Sequence, residues 1–167
     1  MDLADQRVTQ VFTEQHQRDK VVEVAMGWLR TPYIHMGRVK GAGADCLTLL
    51  AEVFHEAGLI PKIEIEFYPK DWMHHRDAER YLEGLLNYAH EIEGPPQPGD
   101  IALWKFGRCF SHGAIVVNWP TIIHAAAGRN VTLEDASKSQ MLCFVGENVE
   151  EKGKPRELKF FSYWGKK

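Results

Sequence analysis

Two hydrophobic periods divide the chain. Up to about residue 90 apolar positions recur every three or four residues, and after the proline-rich turn they alternate or run in short blocks. Residues from about Ala4 to Lys20 are mostly polar and predict a loose helix or arm. Val21, Val24, Ala25 and Trp28 then fall at i, i+3, i+4 and i+7, one face of a helix running to Leu29. Thr31-Pro32 should end it, because proline disfavours helical geometry in the residue before it. Gly37, Gly41 and Gly43 mark a loop. The clearest helix runs from Cys46 to Ala57, with Leu47, Leu50, Ala51 and Phe54 as its apolar stripe. Thr48, Glu52, His55 and Glu56 are expected to face water, with Asp45 as N-cap and Gly58 as C-terminal stop. Pro61 to Pro69 reads as a polar loop or short strand. A third helix, roughly Asp77 to His90, follows an aromatic and histidine-rich turn at Trp72, His74 and His75.

Pro95, Pro96 and Pro98 with Gly99-Asp100 form the turn at which the period changes. Strands are expected at Ile101–Phe106, His112–Asn118, Thr121–Ala126, Val131–Leu133, Met141–Val145 and Leu158–Tyr163. They are short and separated by turn residues, so an antiparallel sheet is the natural arrangement. Helices first and strands after make an α+β fold, with the helices packed on an antiparallel sheet of about five or six strands.

The 167 residues fit one domain, and 44% hydrophobic with 26% charged residues is the balance of an ordinary globule. No apolar run reaches the ~20 residues of a membrane helix. MDLADQRVTQ lacks both regions of a secretion signal, so the chain reads as cytoplasmic when synthesised. A net charge of -3 argues against a nucleic-acid partner. That charge is uneven. Lys152, Lys154, Arg156, Lys159, Lys166 and Lys167 against Glu157 give the tail +5 and leave -8 on the body. Such a tail can dock on an acidic partner, although a solvated terminal strand is the simpler reading.

The candidate chemistry begins with cysteine. Cys46, Cys109 and Cys143 are odd in number, widely spaced and without CxxC, which disfavours disulfide and zinc scaffolds. Cys109 and Cys143 read as packing residues. Cys46 opens a helix behind the glycine-rich Gly41–Asp45 loop. The helix dipole and the free first-turn N–H groups should lower its pKa and favour the nucleophilic thiolate, against the simpler local reading of a small buried residue after an N-cap. A nucleophilic thiol needs a base, and a base imidazole needs a third group to hold it. His112 and His124 lie 12 positions apart across Trp119-Pro120, on neighbouring expected strands. Paired residues of an antiparallel hairpin have a constant index sum, so the two histidines share a face only if that sum is even. Satisfied core or surface histidines are the competing reading. His55, His74, His75 and His90 lack the spacing of helical metal ligands, and no metal or cofactor is expected.

TPY at 31–33, the glycine-rich loop, DC at 45–46, PxPGD at 96–100, SHGAIV at 111–116 and IHA at 123–125 together resemble the NlpC/p60 family of cell-wall cysteine peptidases. The likeness covers about Val21 to Val145 and is strongest to the phage and prophage branch whose members accompany tail proteins. It implies a papain-like core with Cys46 as nucleophile, His112 as base and His124 as the orienting third residue. It further implies that Tyr33 lines the site and that Asp45 helps to hold a substrate amino group. The implied substrate is the stem peptide of peptidoglycan, and the implied partners are tail proteins of a particle that carries the protein to the wall. The family's usual DCSG is DCLT here, with Leu47 and Thr48 in place of Ser and Gly, and Tyr33-Ile34-His35-Met36-Gly37 replaces YxWGG. Residues 1–20 would be an arm or helix and 21–167 one papain-like peptidase domain, in which 63–91 is a helical insertion bordering the cleft. The competing expectations are a tail-assembly component with a vestigial site, and an amidase or acyltransferase of the same fold.

Overall fold

The computed structural model describes residues 3–71, 79–145 and 153–165. A long helix α1 (Leu3–Gly27) comes first, then a small hairpin of β1 (Arg38–Val39) and β2 (Gly43–Ala44), then the helix α2 (Cys46–Glu56). A short helix α3 (Arg80–Leu86) precedes the main sheet. That sheet holds β3 (His90–Ile92), β4 (Ile101–Phe106), β5 (Cys109–Asn118), β6 (Thr121–Ala125), β7 (Val131–Asp135) and β10 (Leu158–Ser162). Between β7 and β10 lie a 3-10 turn (Ala136–Lys138), the helix α4 (Gln140–Cys143) and the pair β8 (Phe144–Val145) and β9 (Lys154–Pro155). The main sheet is antiparallel in the order β3-β10-β4-β5-β6-β7. The architecture is α+β with a six-stranded sheet, as the two periods require. Among the described residues no helix is long and apolar enough to cross a membrane.

The two sheet faces bury different sets of side chains. Leu103, Ile115, Ile123 and Phe161 pack with Leu49, Leu50 and Val53 of α2 and with Val21, Ala25 and Trp28 of α1. Ala102, Trp104, Ala114, Val116 and Ile122 pack on the other face with Leu142 of α4. Alternation along each strand makes this split, since successive side chains point to opposite faces.

Several expectations are corrected. The polar stretch Ala4–Lys20 is not a separate loose element: it continues into Val21 as one helix from Leu3. Arg18 anchors it, donating to Asp100 Oδ1 at 2.8 Å and to Pro98 O at 3.0 Å, with its guanidinium 4.1 Å from the Trp164 ring centre. The PGD turn therefore holds the start of the sheet to α1. Thr48 and Glu52, expected in water, are buried because α2 is covered on most sides. Thr48 completes a capping box, and Glu52 accepts from Arg38 Nε at 2.6 Å. The third helix covers only Arg80–Leu86, and His90 belongs to β3. Its expected start at Asp77, and the turn at Trp72, His74 and His75, lie outside the described residues. Met141–Val145 is a helical turn followed by β8 rather than one strand. The described part of the basic tail is not all solvated strand: Lys154 is exposed, but β10 lies between β3 and β4, and its Lys159 pairs with Glu91 at 2.8 Å. Lys152, Lys166 and Lys167 lie outside the described residues.

Candidate active site

Asp45 fixes the head of α2. Its Oδ1 accepts from the Leu47 N–H at 3.1 Å, the Thr48 N–H at 3.0 Å and the Thr48 hydroxyl at 3.1 Å, and Thr48 Oγ1 accepts in return from the Asp45 N–H at 2.9 Å. This reciprocal cap holds Cys46 at the first position of the helix. Oδ2 accepts from the Met36 N–H at 2.8 Å and the Tyr68 hydroxyl at 2.5 Å, with His35 Nδ1 at 3.3 Å. Both carboxylate oxygens are thus engaged by the chain itself, and the residue is buried.

Cys46, Tyr33 and Asp45 line one cleft of about 640 Å³ with Tyr68, Tyr81 and Ser111. Ile63, Lys70 and Arg80 from the 63–91 segment also border it. The Tyr81 hydroxyl donates to Cys46 O at 3.1 Å. The Cys46 thiol donates to Ser111 O at 3.5 Å, and the backbone N–H groups of Gly113, Cys46 and Leu47 favour the ionised form of the sulfur electrostatically. Ser111 and Gly113 flank His112. The β5–β6 ladder begins only at Ile115, so His112 and Gly113 of β5 pair with β4 but not with β6.

His112 and His124 are brought together. Ile115 pairs with Ile123 and Val116 with Ile122, so the hairpin sum is even and the histidines share a face. His112 Nε2 and His124 Nδ1 are 2.9 Å apart, with the rings nearly perpendicular at 88°. Trp104 and Phe106 pack on the His112 ring, with centroids at 6.2 and 5.0 Å. The imidazole pair lies on the sheet face away from α2, and the cleft residues lie on the near side. Strand β5 at 111–113 is the junction between the two sets. In this structure the thiol proton is directed at Ser111 O rather than at the ring.

Burial sets the protonation states. It pushes the Cys46 thiol up to about 12, with the Asp45 charge adding to it, and the three backbone N–H groups only partly offset the rise. This corrects the expectation of a lowered thiol pKa at the helix terminus. Burial likewise holds His112 down to about 3, helped by the charges of His124 and Arg156. His124 is also held below its usual range by burial, against the opposing pull of Glu134. Tyr33 is raised to about 12 by burial and by the negative charges of Cys46 and Asp45 in their ionised forms. At neutral pH the site therefore holds a thiol, neutral imidazoles and a protonated phenol. Tyr68 and Tyr81 donate to other residues, whereas the Tyr33 hydroxyl has no hydrogen-bond partner among the described residues.

Sequence reasoning missed Glu134. His124 Nε2 is 2.7 Å from its Oε2. The parity test applied to the second hairpin would have found it, since Ile122 pairs with Glu134 and His124 with Thr132. Tyr68 and Tyr81 were missed as well, because their segment carries no period linking it to Asp45 or Cys46. Cys109 is fully buried in the core, and Cys143 Sγ donates to Ala136 O at 3.1 Å at the end of α4. Both pack as expected.

No family model matches the sequence, and no curated protein does. Solved structures do match. The NlpC/p60 domain of the peptidoglycan hydrolase SagA superposes with a TM-score of 0.52 at 18% identity, over 72% of this chain and 90% of that one. NlpC2 from Trichomonas vaginalis gives a TM-score of 0.58 at 16% identity, over 90% of this chain and 47% of that one. An NlpC/p60 family protein from Bacillus cereus ATCC 10987 gives 0.51 at 20% identity, over 72% and 35%. The chain thus spans under half the length of the last two. These likenesses establish the fold, which is the papain-like fold of NlpC/p60 domains.

Proposed function

We propose that the protein is an NlpC/p60-type cysteine peptidase that hydrolyses amide bonds in the stem peptides of bacterial peptidoglycan. One observation carries the reading. The thiol at the head of α2 lies in a cleft and donates to the carbonyl of Ser111, the residue just before His112, and the ring's Nε2 is already bound to His124. The nitrogen left to act on the thiol is Nδ1. The fold and the ordered motifs support the same chemistry. The name of SagA, a peptidoglycan hydrolase, supports the substrate class.

The chemistry starts from a neutral pair. His112 Nδ1 takes the thiol proton as the sulfur attacks the amide carbonyl, so ion-pair formation and attack are coupled. For this the sulfur has to leave Ser111 O and meet the ring at the edge of β5, because the two start on opposite sides of that strand; catalytic hydrogen bonds are often loose before substrate binds. The Cys46 N–H and the Tyr33 hydroxyl are the donors we assign to the oxyanion. Tyr33 suits this role because it keeps its proton at neutral pH. His112 then protonates the leaving amine; water, deprotonated by the same ring, attacks the thioester, the C–S bond breaks to free the carboxylic acid, and the ring returns its proton to the Cys46 sulfur. His124 orients His112 throughout.

Asp45 departs from the family reading. Its carboxylate is occupied by its own chain, so we assign it to holding α2 and Tyr68 rather than to a substrate amine. The phage-branch resemblance adds tail proteins as partners, on the motifs alone.

Digestion of purified peptidoglycan, with product peptides identified by mass spectrometry, tests the reading. The wild-type chain should release stem-peptide fragments, and Cys46→Ala and His112→Ala should lose several orders of magnitude in rate. Equal digestion by Cys46→Ala would sink it.

A further inference from the structure

We infer that Glu134 is a positioning residue, acting through His124 to hold His112 in the tautomer whose Nδ1 is bare. The inference rests on the reading of His112 as the base. Its structural core stands on hydrogen-bond logic alone.

Three neighbouring strands each supply one residue to a line. His112 comes from β5, His124 from β6 and Glu134 from β7. The β6–β7 pairing has an even sum throughout, and the β5–β6 pairing is even on the histidine side of the register shift between Val116 and Asn118, so the three side chains share one sheet face. The line is continuous, with 2.9 Å from His112 Nε2 to His124 Nδ1 and 2.7 Å from His124 Nε2 to Glu134 Oε2. His124 is fully buried. The Glu134 side chain is 20% exposed, and its other oxygen stands 3.7 Å from Arg129 Nη1.

Directions follow from what each group can do. A carboxylate only accepts, so His124 Nε2 must carry the proton. In a neutral ring His124 Nδ1 is then a lone pair, and it accepts from His112 Nε2–H. A neutral His112 that donates from Nε2 has no proton on Nδ1. The carboxylate thus fixes which of four ring nitrogens is free to act as a base. Without it the whole line can reverse: His124 donates from Nδ1, His112 accepts at Nε2, and the proton sits on Nδ1, where a base is needed. Wrong-tautomer variants of comparable triads lose large factors in kcat.

Glu134→Gln keeps the size of the side chain and removes the constraint, because an amide can accept or donate. The test reads ring tautomers of the full-length chain by long-range ¹H–¹⁵N correlation spectra, with Cys46→Ala as background so that no turnover intervenes. In the Glu134-containing chain both His112 and His124 should be Nε2–H tautomers. Glu134→Gln should bring in the Nδ1–H form of His112. Arg129→Ala, which leaves the carboxylate in place, should keep the original tautomers. With Cys46 restored, Glu134→Gln should lower kcat by about tenfold or more with a much smaller change in KM. A His112 Nδ1–H tautomer in the Glu134-containing chain overturns the inference. So does a Glu134→Gln spectrum with both tautomers unchanged. The spectra need no substrate, so a chain that cleaves no peptidoglycan counts against the peptidase reading, while the tautomers alone decide the role of Glu134.

Discussion

Cys46 and Ser111 meet through a thiol–carbonyl hydrogen bond of 3.5 Å, and the carbonyl belongs to the residue just before His112. This is a stored thiol rather than a thiolate. A helix N-terminus and three N–H groups favour ionisation there, yet burial and the neighbouring Asp45 charge win and hold the pKa near 12.

Generic thiol reagents should therefore find Cys46 slow. At pH 7 its thiolate fraction would be on the order of 10⁻⁵, against a few per cent for an ordinary cysteine. Iodoacetamide labelling followed by peptide mass spectrometry should show Cys46 reacting far more slowly than free cysteine. A peptide-bearing electrophile that fills the cleft should label Cys46 in preference to Cys109 and Cys143. Cys46 is partly exposed in the cleft, so rapid labelling by iodoacetamide at pH 6 would show the raised thiol pKa to be wrong.

Acid should act on the histidines through stability before it acts through catalysis. His112 has a folded pKa of about 3, below the 6.5 of an unfolded histidine. The unfolded chain then binds the proton first, so this contribution is complete above pH 6.5 and is lost as pH falls towards about 3. Each pH unit inside that window should remove about 1.4 kcal/mol for this one group. Urea unfolding at pH 7 and pH 4.5 measures the loss, and His112→Gln should flatten the dependence. In the range where the protein stays folded, kcat/KM should show no acid limb near pH 6.5.

How much of this was legible in the chain depended on range. The α2 helix, its Asp45 cap and the strands at 101, 121 and 131 follow from local period and punctuation, and the structure has them. Parity stated the condition for His112 and His124 to meet but not its outcome, because the β5–β6 pairing shifts from an odd to an even sum between Asn118 and Val116, and no local signal showed that shift. The buried state of Thr48 and Glu52 was not legible, since helix period cannot tell one covered face from several. Nor was Arg18: a charged residue in a polar stretch shows nothing of Asp100, Pro98 and Ser162, which are brought to it by chain far away in sequence. The sign of the Cys46 shift failed for a related reason. The dipole is local and readable, whereas burial is a property of the assembled fold.

Gly113 should tolerate no side chain. A Cβ there would lie 2.1 Å from the Tyr81 hydroxyl oxygen and 2.9 Å from Tyr81 Cζ. That hydroxyl holds Cys46 O, so moving it disturbs the head of α2. Gly113→Ala should cost about 1–3 kcal/mol by overpacking and should lower kcat through displacement of Cys46. Adding Tyr81→Ala should recover part of the overpacking loss in thermal unfolding. A Gly113→Ala chain with native stability and rate would show that this contact is not tight.

Asp45 makes the sharpest statement about substrates. A free peptide amine near the thiol would need a carboxylate with a spare lone-pair direction. Asp45 spends one oxygen on the α2 cap and the other on Met36, Tyr68 and the side of His35. Pulling it away would leave a buried N–H and a hydroxyl unpaired, at about 1–3 kcal/mol each. An ammonium group offers no surplus over that cost when water already solvates it. Two peptides identical except for acetylation of the amino group on the acyl-side residue separate the cases. The acetylated peptide should be cleaved at least as fast as the free one. Asp45→Asn should lower the melting temperature by weakening the cap without changing that ratio. A tenfold preference for the free amine, erased by Asp45→Asn, would instead show that substrate displaces Tyr68 and claims the carboxylate.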